Sequence, residues 1–162
     1  MPISPGAAAE TLAKISKTPL SVMEVCGTHT VSIFRSGIRS LLPPALRLVS
    51  GPGCPVCVTD QGEIEAALAL LDEGATVAAY GDMFRVPCDG GSLASKKSLG
   101  FDARIVTSAV DVLTLAEELP GREVVFLAAG FETTAPATAA MAEEALARRL
   151  KNLSILSFPN RT

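Results

Sequence analysis

Residues 61–80 read QGEIEAALALLDEGATVAAY and contain both kinds of element from which the fold is built. In the first part, Ile64, Leu68 and Leu71 recur at the spacing of one helix face, which predicts a helix over Gln61 to Glu73. The second part, Thr76 to Tyr80, is a short apolar run of strand length. A helix followed by such a strand is typical of α/β proteins with a parallel sheet.

The same alternation extends over the whole chain and predicts an α/β fold with parallel-sheet βαβ layers. The other predicted strands are Leu20 to Val25, Leu46 to Val49, Arg104 to Thr107, Glu123 to Ala128 and Leu153 to Phe158. The other predicted helices are Gly6 to Ser16, Thr30 to Leu41, Gly91 to Leu99, Asp111 to Leu119 and Thr134 to Leu150. We expect one complete α/β domain over residues 1–108 and an incomplete second α/β domain over residues 109–162.

Composition excludes several classes of function. A net charge of -3 without clustered Lys and Arg argues against nucleic-acid binding. The apolar runs fall short of the ~20 residues that a membrane span needs. The opening segment places its lysines after its alanines, unlike a secretory signal peptide, so we expect a cytoplasmic protein. In that compartment the four cysteines indicate redox or metal chemistry.

Unusual loops follow several of the predicted strands. The motifs are CGTHT at 26–30, GPGCPVC at 51–57, GDM at 81–83 and GFETTAP at 130–136. If all strands belong to one parallel sheet, their carboxyl ends lie on one edge, where open α/β proteins bind ligands. We therefore expect the four loops to form one site.

The thiols of Cys54 and Cys57 are close enough in sequence to pair, and a helix start nearby stabilises a thiolate. Cys26 and His29, also three residues apart, complete a possible Cys₃His metal site that suits zinc or iron. Two purely structural explanations remain open. The cysteines could be buried small hydrophobic residues, and His29, the only histidine, could be a hydrogen-bonded structural residue.

Other polar residues carry weaker signals. Glu132 and Thr133 follow a strand directly, where solvent exposure and helix capping are the ordinary explanations. Asp82 fits a turn or cap equally well. Cys88, in a glycine-rich loop, is interpreted as an incidental thiol.

Together, CGTHT at 26–30, GPGCPVC at 51–57, GDMFRVP at 81–87 and GFETTAP at 130–136 closely resemble the signature motifs of the HypD family of NiFe-hydrogenase maturation proteins. The order and spacing match too, from about Val22 to Ile155. The resemblance implies a scaffold that, with the partner HypC, holds iron while cyanide delivered by HypE and carbon monoxide are attached. The Fe(CN)₂CO unit then passes to the hydrogenase large subunit.

The same resemblance implies residue roles. Cys26 would bind the iron, with His29 close to it, and Cys54 and Cys57 would be a redox-active pair. Glu132, Thr133 and Thr134 would line the facing side of the cleft.

The sequence also departs from the family. Members run to more than twice this length and carry a 4Fe-4S cluster in a C-terminal region whose ligands are missing here, so we expect no such cluster. Glycine is usual where Cys88 stands. Two alternatives remain open: a general thiol–disulfide oxidoreductase using Cys54 and Cys57, and an inactive truncated remnant with a structural zinc.

Overall fold

The computed structural model describes residues 4–15 and 18–159, and its strands and helices alternate along the chain. Its helices are α1 (Pro5–Ile15), α2 (Gly27–Arg35), α3 (Pro55–Val58), α4 (Gln61–Asp72), α5 (Leu93–Ser98), α6 (Asp111–Glu118) and α7 (Ala135–Ala147). Its strands are β1 (Leu20–Glu24), β2 (Leu46–Ser50), β3 (Thr76–Tyr80), β4 (Ala103–Val106), β5 (Val124–Gly130) and β6 (Leu153–Pro159). The predicted α/β class with parallel strands is confirmed. Ser16, where the first predicted helix ends, lies outside the described residues.

The chain divides into two compact units, Met1–Cys57 and Val58–Thr162. In the first unit β1 pairs in parallel with β2, so that Leu20 lies opposite Leu46 and Glu24 opposite Ser50. The two strands therefore end at the same level. The loops that follow them, which carry the cysteine motifs, begin at the same edge of this small sheet.

Helix α2 differs from the predicted helix over Thr30 to Leu41. It begins three residues earlier, at Gly27, and ends at Arg35, and a separate 3₁₀ turn covers Ile38–Leu41. Gly37 between them has a φ of 65°, in the left-handed region that glycine adopts without steric cost and that ends a right-handed helix. The earlier start makes Cys26 the N-cap of α2.

In the second unit four parallel strands form one sheet in the order β4-β3-β5-β6. Between the strands of this sheet the chain forms helices α5, α6 and α7, the usual crossover arrangement of parallel sheets. Strand β3 has neighbours on both sides, and its residues from Thr76 to Ala79 are buried. Phe126 on β5 is fully buried and meets the ring of Tyr80 edge-on, with 5.5 Å between ring centroids.

The expectation that all four loops share one sheet edge is wrong. Among the described residues β1 and β2 pair only with each other, and the neighbours of β3 are β4 and β5. The cysteine loops thus follow the strands of one sheet, and the GDM and GFETTAP loops follow β3 and β5 of the other. The larger sheet contains strands from both sides of residue 108, and the domain boundary predicted there stays a prediction.

The two units differ in burial. The second contains a core of fully buried side chains that includes Ile64, Leu113, Phe126 and Met141. In the first, no residue between 18 and 57 is buried, and Phe34 is 80% exposed. None of the described helices is long and apolar enough to cross a membrane.

Candidate functional site

Three thiols meet at the edge of the smaller sheet. The sulfur atoms of Cys26, Cys54 and Cys57 all lie within 4.8 Å of one another, and those of Cys54 and Cys57 are 3.3 Å apart. The turn that starts α3 brings the last two together, since the Cys57 N–H donates to the Cys54 carbonyl at 2.9 Å. Cys26, in the loop after β1, joins them from the N-cap position of α2, where its side chain makes no capping hydrogen bond. The structure thus brings together the three cysteines that the sequence singled out.

Cys57 lies at the N-terminus of α2. After the hydrogen bond from Cys54, the polar groups that lower the pKa of its thiol are the backbone N–H groups of Gly27 and Thr28 and the Thr28 hydroxyl. Those N–H groups have no partner inside the helix, and the side chain of Cys26 does not cap them. A side chain at residue 27 would crowd this approach, because a Cβ there would lie 3.3 Å from the Cβ of Cys57.

The two paired thiols differ in acidity because their environments differ. The S–H of Cys54 donates to the sulfur of Cys57, and this hydrogen bond lowers the pKa of Cys57, with the α2 N–H groups adding to the effect. Burial raises the pKa of Cys54, and its hydrogen bond to Cys57 raises it further. Of the two, Cys57 therefore carries the thiolate more readily, as expected for a sulfur at a helix N-terminus.

Glu24, the last residue of β1, holds the backbone of Cys26 through a side-chain hydrogen bond. Its carboxylate accepts hydrogen bonds from the Cys26 N–H, at 3.1 Å, and from the Thr30 hydroxyl. The bond from Thr30 is the largest cause of a lowered Glu24 pKa. The Glu24 carbonyl in turn accepts from the Gly51 N–H at 2.7 Å, where a Cβ on residue 51 would lie 2.7 Å from the same oxygen. These bonds tie the two cysteine loops to each other.

A cavity of about 820 Å³ opens beside α2 and reaches one of the three thiols. Its lining consists of Gly27, Thr28, Val31, Ser32, Arg35, Ser36 and Cys57. The helical residues among them follow the spacing of one face of α2. A second cavity, of about 320 Å³, shares Val31 and Arg35 with the first and adds Arg39.

The donor set fits a soft metal ion. Sulfur ligands of a tetrahedral site lie ~3.8 Å apart when each metal–sulfur bond is about 2.3 Å, and the three thiols are already near that spacing. Thiolates suit zinc, iron and copper(I). Cys57 is exposed, whereas Cys26 and Cys54 are half-buried, so the cluster is open to solvent at Cys57.

The other predicted site residues are not among the three side chains of the thiol cluster. His29 is exposed on α2 and is not among the three side chains of the cluster, so its role as a ligand stays a prediction. Glu132 and Thr133 are exposed in a 3₁₀ turn after β5, in the second unit, and their roles also stay predictions. Cys88 lies in that unit too, where its S–H donates to the Gly91 carbonyl at 3.4 Å.

Sequence reasoning missed Glu24, Thr28 and Arg35. For Glu24 a signal was present, an acidic residue two positions before Cys26 at the end of a strand. Thr28 and Arg35 would have been found from their spacing with Val31 only if α2 had been predicted to start at Gly27.

Comparisons with known proteins agree on one family. The HypD family model, described as "Hydrogenase formation hypA family", matches residues 6–162. Hydrogenase maturation factor HypD of Cupriavidus necator is 53% identical over 136 residues, which cover 83% of this chain and 36% of that protein.

Two further relatives carry the same name. The protein of Rhizobium leguminosarum bv. viciae is 50% identical over 82% of this chain and 35% of its own length. That of Escherichia coli K12 is 44% identical over 87% of this chain and 38% of its own length. The chain thus spans little more than a third of the curated relatives that it matches.

Proposed function

Because this chain belongs to the HypD family, we propose that it acts in hydrogenase maturation as part of a scaffold on which an iron unit is assembled. The observation that carries the proposal is the cluster of Cys26, Cys54 and Cys57, with sulfur atoms within 4.8 Å of one another. Iron is the cargo of this scaffold, and thiolates at that spacing suit it. The site would act in the cytoplasm.

We assign different roles to the three thiols. Cys26 holds the iron, because Glu24 fixes its backbone and no hydrogen bond ties its sulfur to the start of α2. Cys54 and Cys57 form the redox pair, since their sulfurs are 3.3 Å apart and little movement brings them to the about 2.05 Å of a disulfide. His29 is a further candidate ligand, and Glu132 and Thr133 are candidate cleft residues.

The partners follow from the family role. We propose that HypC shares the iron with Cys26, that HypE supplies the cyanide ligands, and that the hydrogenase large subunit receives the finished Fe(CN)₂CO unit. These proposals transfer the role of the longer relatives to this chain, which spans little more than a third of their length.

A general thiol–disulfide oxidoreductase is the second candidate. The close approach of Cys54 to Cys57, with Cys57 at a helix N-terminus, favours it. An oxidoreductase has no need of Cys26, which lies in the same cluster. A structural zinc on the three thiols is the third candidate.

The test is anaerobic co-purification of the chain with HypC, followed by metal analysis and infrared spectroscopy of iron-bound cyanide and carbonyl. We expect iron with both sets of bands in the wild-type complex, and their loss in Cys26→Ala. Cys88→Ala is the matched control and should retain them, because Cys88 lies outside the cluster. Zinc without iron would favour the structural site. Equal loss of iron and of the infrared bands in both variants would contradict the assignment of Cys26 as the iron ligand.

A further inference from the structure

We propose that Cys57 is the thiol that exchanges with an external, anionic, low-molecular-weight disulfide bound along α2, and that Cys54 resolves the mixed disulfide. The inference rests on the redox role proposed above for the pair and adds its direction and substrate class. It depends on three observations of the first unit: access, spacing and charge.

Access distinguishes Cys57 from the other two thiols. Cys57 is exposed and lines the cavity of about 820 Å³, whereas Cys26 and Cys54 are half-buried and do not line it. A volume of that size lies within the range of small-molecule sites. A disulfide that enters along α2 therefore reaches the sulfur of Cys57 first.

Spacing makes Cys54 the resolving thiol. Its sulfur lies 3.3 Å from that of Cys57, and Cys54 is not among the residues that line the cavity. Cys57 itself lines the cavity beside α2 together with Gly27 and Thr28. The pair thus has one thiol, that of Cys57, in the cavity lining and a second, that of Cys54, within reach of it.

Charge defines the class of disulfide. Arg35 lines both cavities along α2, Arg39 lines the smaller one, and no acidic side chain lines either. Arg39 also donates to the Ser50 hydroxyl at 2.9 Å, which fixes its position. The carboxylate of Glu24, at the end of the adjoining β1, is engaged by Thr30 and the Cys26 N–H. A carboxylate-bearing disulfide therefore fits this face better than a neutral or cationic one.

The chemistry balances without a further reactant. The Cys57 thiolate attacks one sulfur of the external disulfide, the S–S bond breaks, and one external thiolate leaves and takes up a proton. Cys54 then gives up its proton, and its thiolate attacks the Cys57 sulfur, forms the Cys54–Cys57 disulfide and expels the second external thiolate, which takes up that proton. Two electrons pass from the protein dithiol to the external disulfide, which is reduced to two thiols.

The experiment treats the reduced, metal-free 162-residue chain with glutathione disulfide, which is anionic, or with bis(2-hydroxyethyl) disulfide, which is neutral. The adduct is trapped in the double variant Cys54→Ser, Cys26→Ser and located by peptide mapping with mass spectrometry. Cys26 is also replaced because it lies close enough to Cys57 to resolve the adduct. We expect the adduct on Cys57. In the wild type we expect two released glutathione molecules and an internal disulfide.

The charge is tested with Arg35→Ala. We expect glutathione disulfide to react roughly two- to fivefold more slowly, the size of one exposed ion pair, and the neutral disulfide to react at an unchanged rate. Arg47→Ala is the matched control, because Arg47 is exposed in the same unit but lines neither cavity.

Two outcomes would overturn the inference: faster modification of Cys54 than of Cys57 when each is the only cysteine of the cluster, or equal slowing of both disulfides in Arg35→Ala. Neither outcome would contradict the proposed retention of iron by Cys26. Conversely, a mixed disulfide on Cys57 in a chain that never retains iron would support the inference and contradict the scaffold function.

Discussion

Asp102, where the chain enters β4, shows how one carboxylate supports a buried residue. Thr76 on β3 is fully buried, and its hydroxyl donates to Asp102 at 2.9 Å. Arg104 and Arg122 also bind this carboxylate, and the hydrogen bond from Arg104 is the largest cause of a lowered Asp102 pKa. Asp102 is 18% exposed, so solvent screens these contacts only in part.

We predict that Asp102→Asn lowers the free energy of unfolding by about 1–2 kcal/mol at pH 7, since a charge-assisted network is lost. A lowered folded-state pKa means that this stability is present above the unfolded-state value of about 3.9 and is lost as the pH falls through the folded-state pKa. Urea unfolding at pH 7 and at pH 2.5 measures both. The difference between wild type and variant should shrink at the lower pH.

Asp72→Asn is the control. Asp72 binds Lys96 but is 51% exposed, and pairs of that kind contribute little. A loss as large as that of Asp102→Asn, or one that does not depend on pH, would contradict the assignment.

At the scale of single residues, the sequence predicted the three thiols of the site but not the residues that surround them. Cys26, Cys54 and Cys57 could be predicted because cysteine has few roles and their motifs follow strands. Glu24 and Arg35 are ordinary surface residues in sequence terms. Their contacts depend on where α2 begins and on the level at which β1 and β2 end.

Among the elements, α4 begins with a reciprocal pair of hydrogen bonds. Asp60 accepts from the Gly62 N–H at 2.8 Å, and Glu63 accepts from the Asp60 N–H at 3.0 Å. This capping box satisfies N–H groups that the helix leaves unpaired. The helix then buries Ile64 and Leu68 against the core of the second unit.

We predict that Asp60→Ala lowers the free energy of unfolding by about 1 kcal/mol, the usual effect of losing an N-cap. Guanidinium unfolding followed by circular dichroism measures it. Glu65→Ala removes a carboxylate of the same helix that accepts a hydrogen bond from the Gln61 side chain at 3.0 Å, and it should change stability by less than about 0.5 kcal/mol. Similar losses in both variants would argue against a specific role of the cap.

The strands were predicted well and the ends of helices less well, for a physical reason. Each strand contains a short run of mainly apolar residues, and such a run is visible in the sequence even where the strand is not buried, as in β1 and β2. The end of α2 depends on Gly37, and a glycine inside a helical pattern does not reveal whether its φ is positive. The four-residue α3 was missed because its turn is too short for any periodicity.

In the whole molecule the two units differ in how they are held together. Strands β3 and β5 are nearly all buried, whereas β1 and β2 have no buried residue. Leu20 and Met23 on β1 are each more than half exposed. Local opening costs least where few apolar contacts form, so the hydrogen bonds of β1 and β2 should open more readily.

We predict that amide hydrogen exchange at neutral pH is slowest in β3 and β5 and at least about tenfold faster in β1 and β2, although all four strands are paired in parallel. Mass spectrometry of peptic peptides measures this. Equal protection of Leu20–Glu24 and Thr76–Tyr80 would show that the first unit is stabilised as strongly as the second.

The sequence could not reveal that the strands form two sheets. Local patterns indicate that a segment is a strand, but pairing depends on which edges remain free after the others have associated. Here β4 and β5 occupy both edges of β3, so β2 and β3 cannot be neighbours although they are consecutive in the chain. The cysteine loops and the GFETTAP loop therefore follow strands of different sheets.

The strand order of the larger sheet also has a consequence during synthesis on the ribosome. β3 and β4 can pair once Val106 has emerged, but the other edge of β3 waits for β5, which ends at Gly130. At about 5–20 residues per second, that apolar edge stays open for roughly one to five seconds. If synthesis pauses before β5 has emerged, the unpaired edge of β3 can pair with a strand of another nascent chain on the same mRNA. A chaperone that binds the chain at this stage would prevent such pairing.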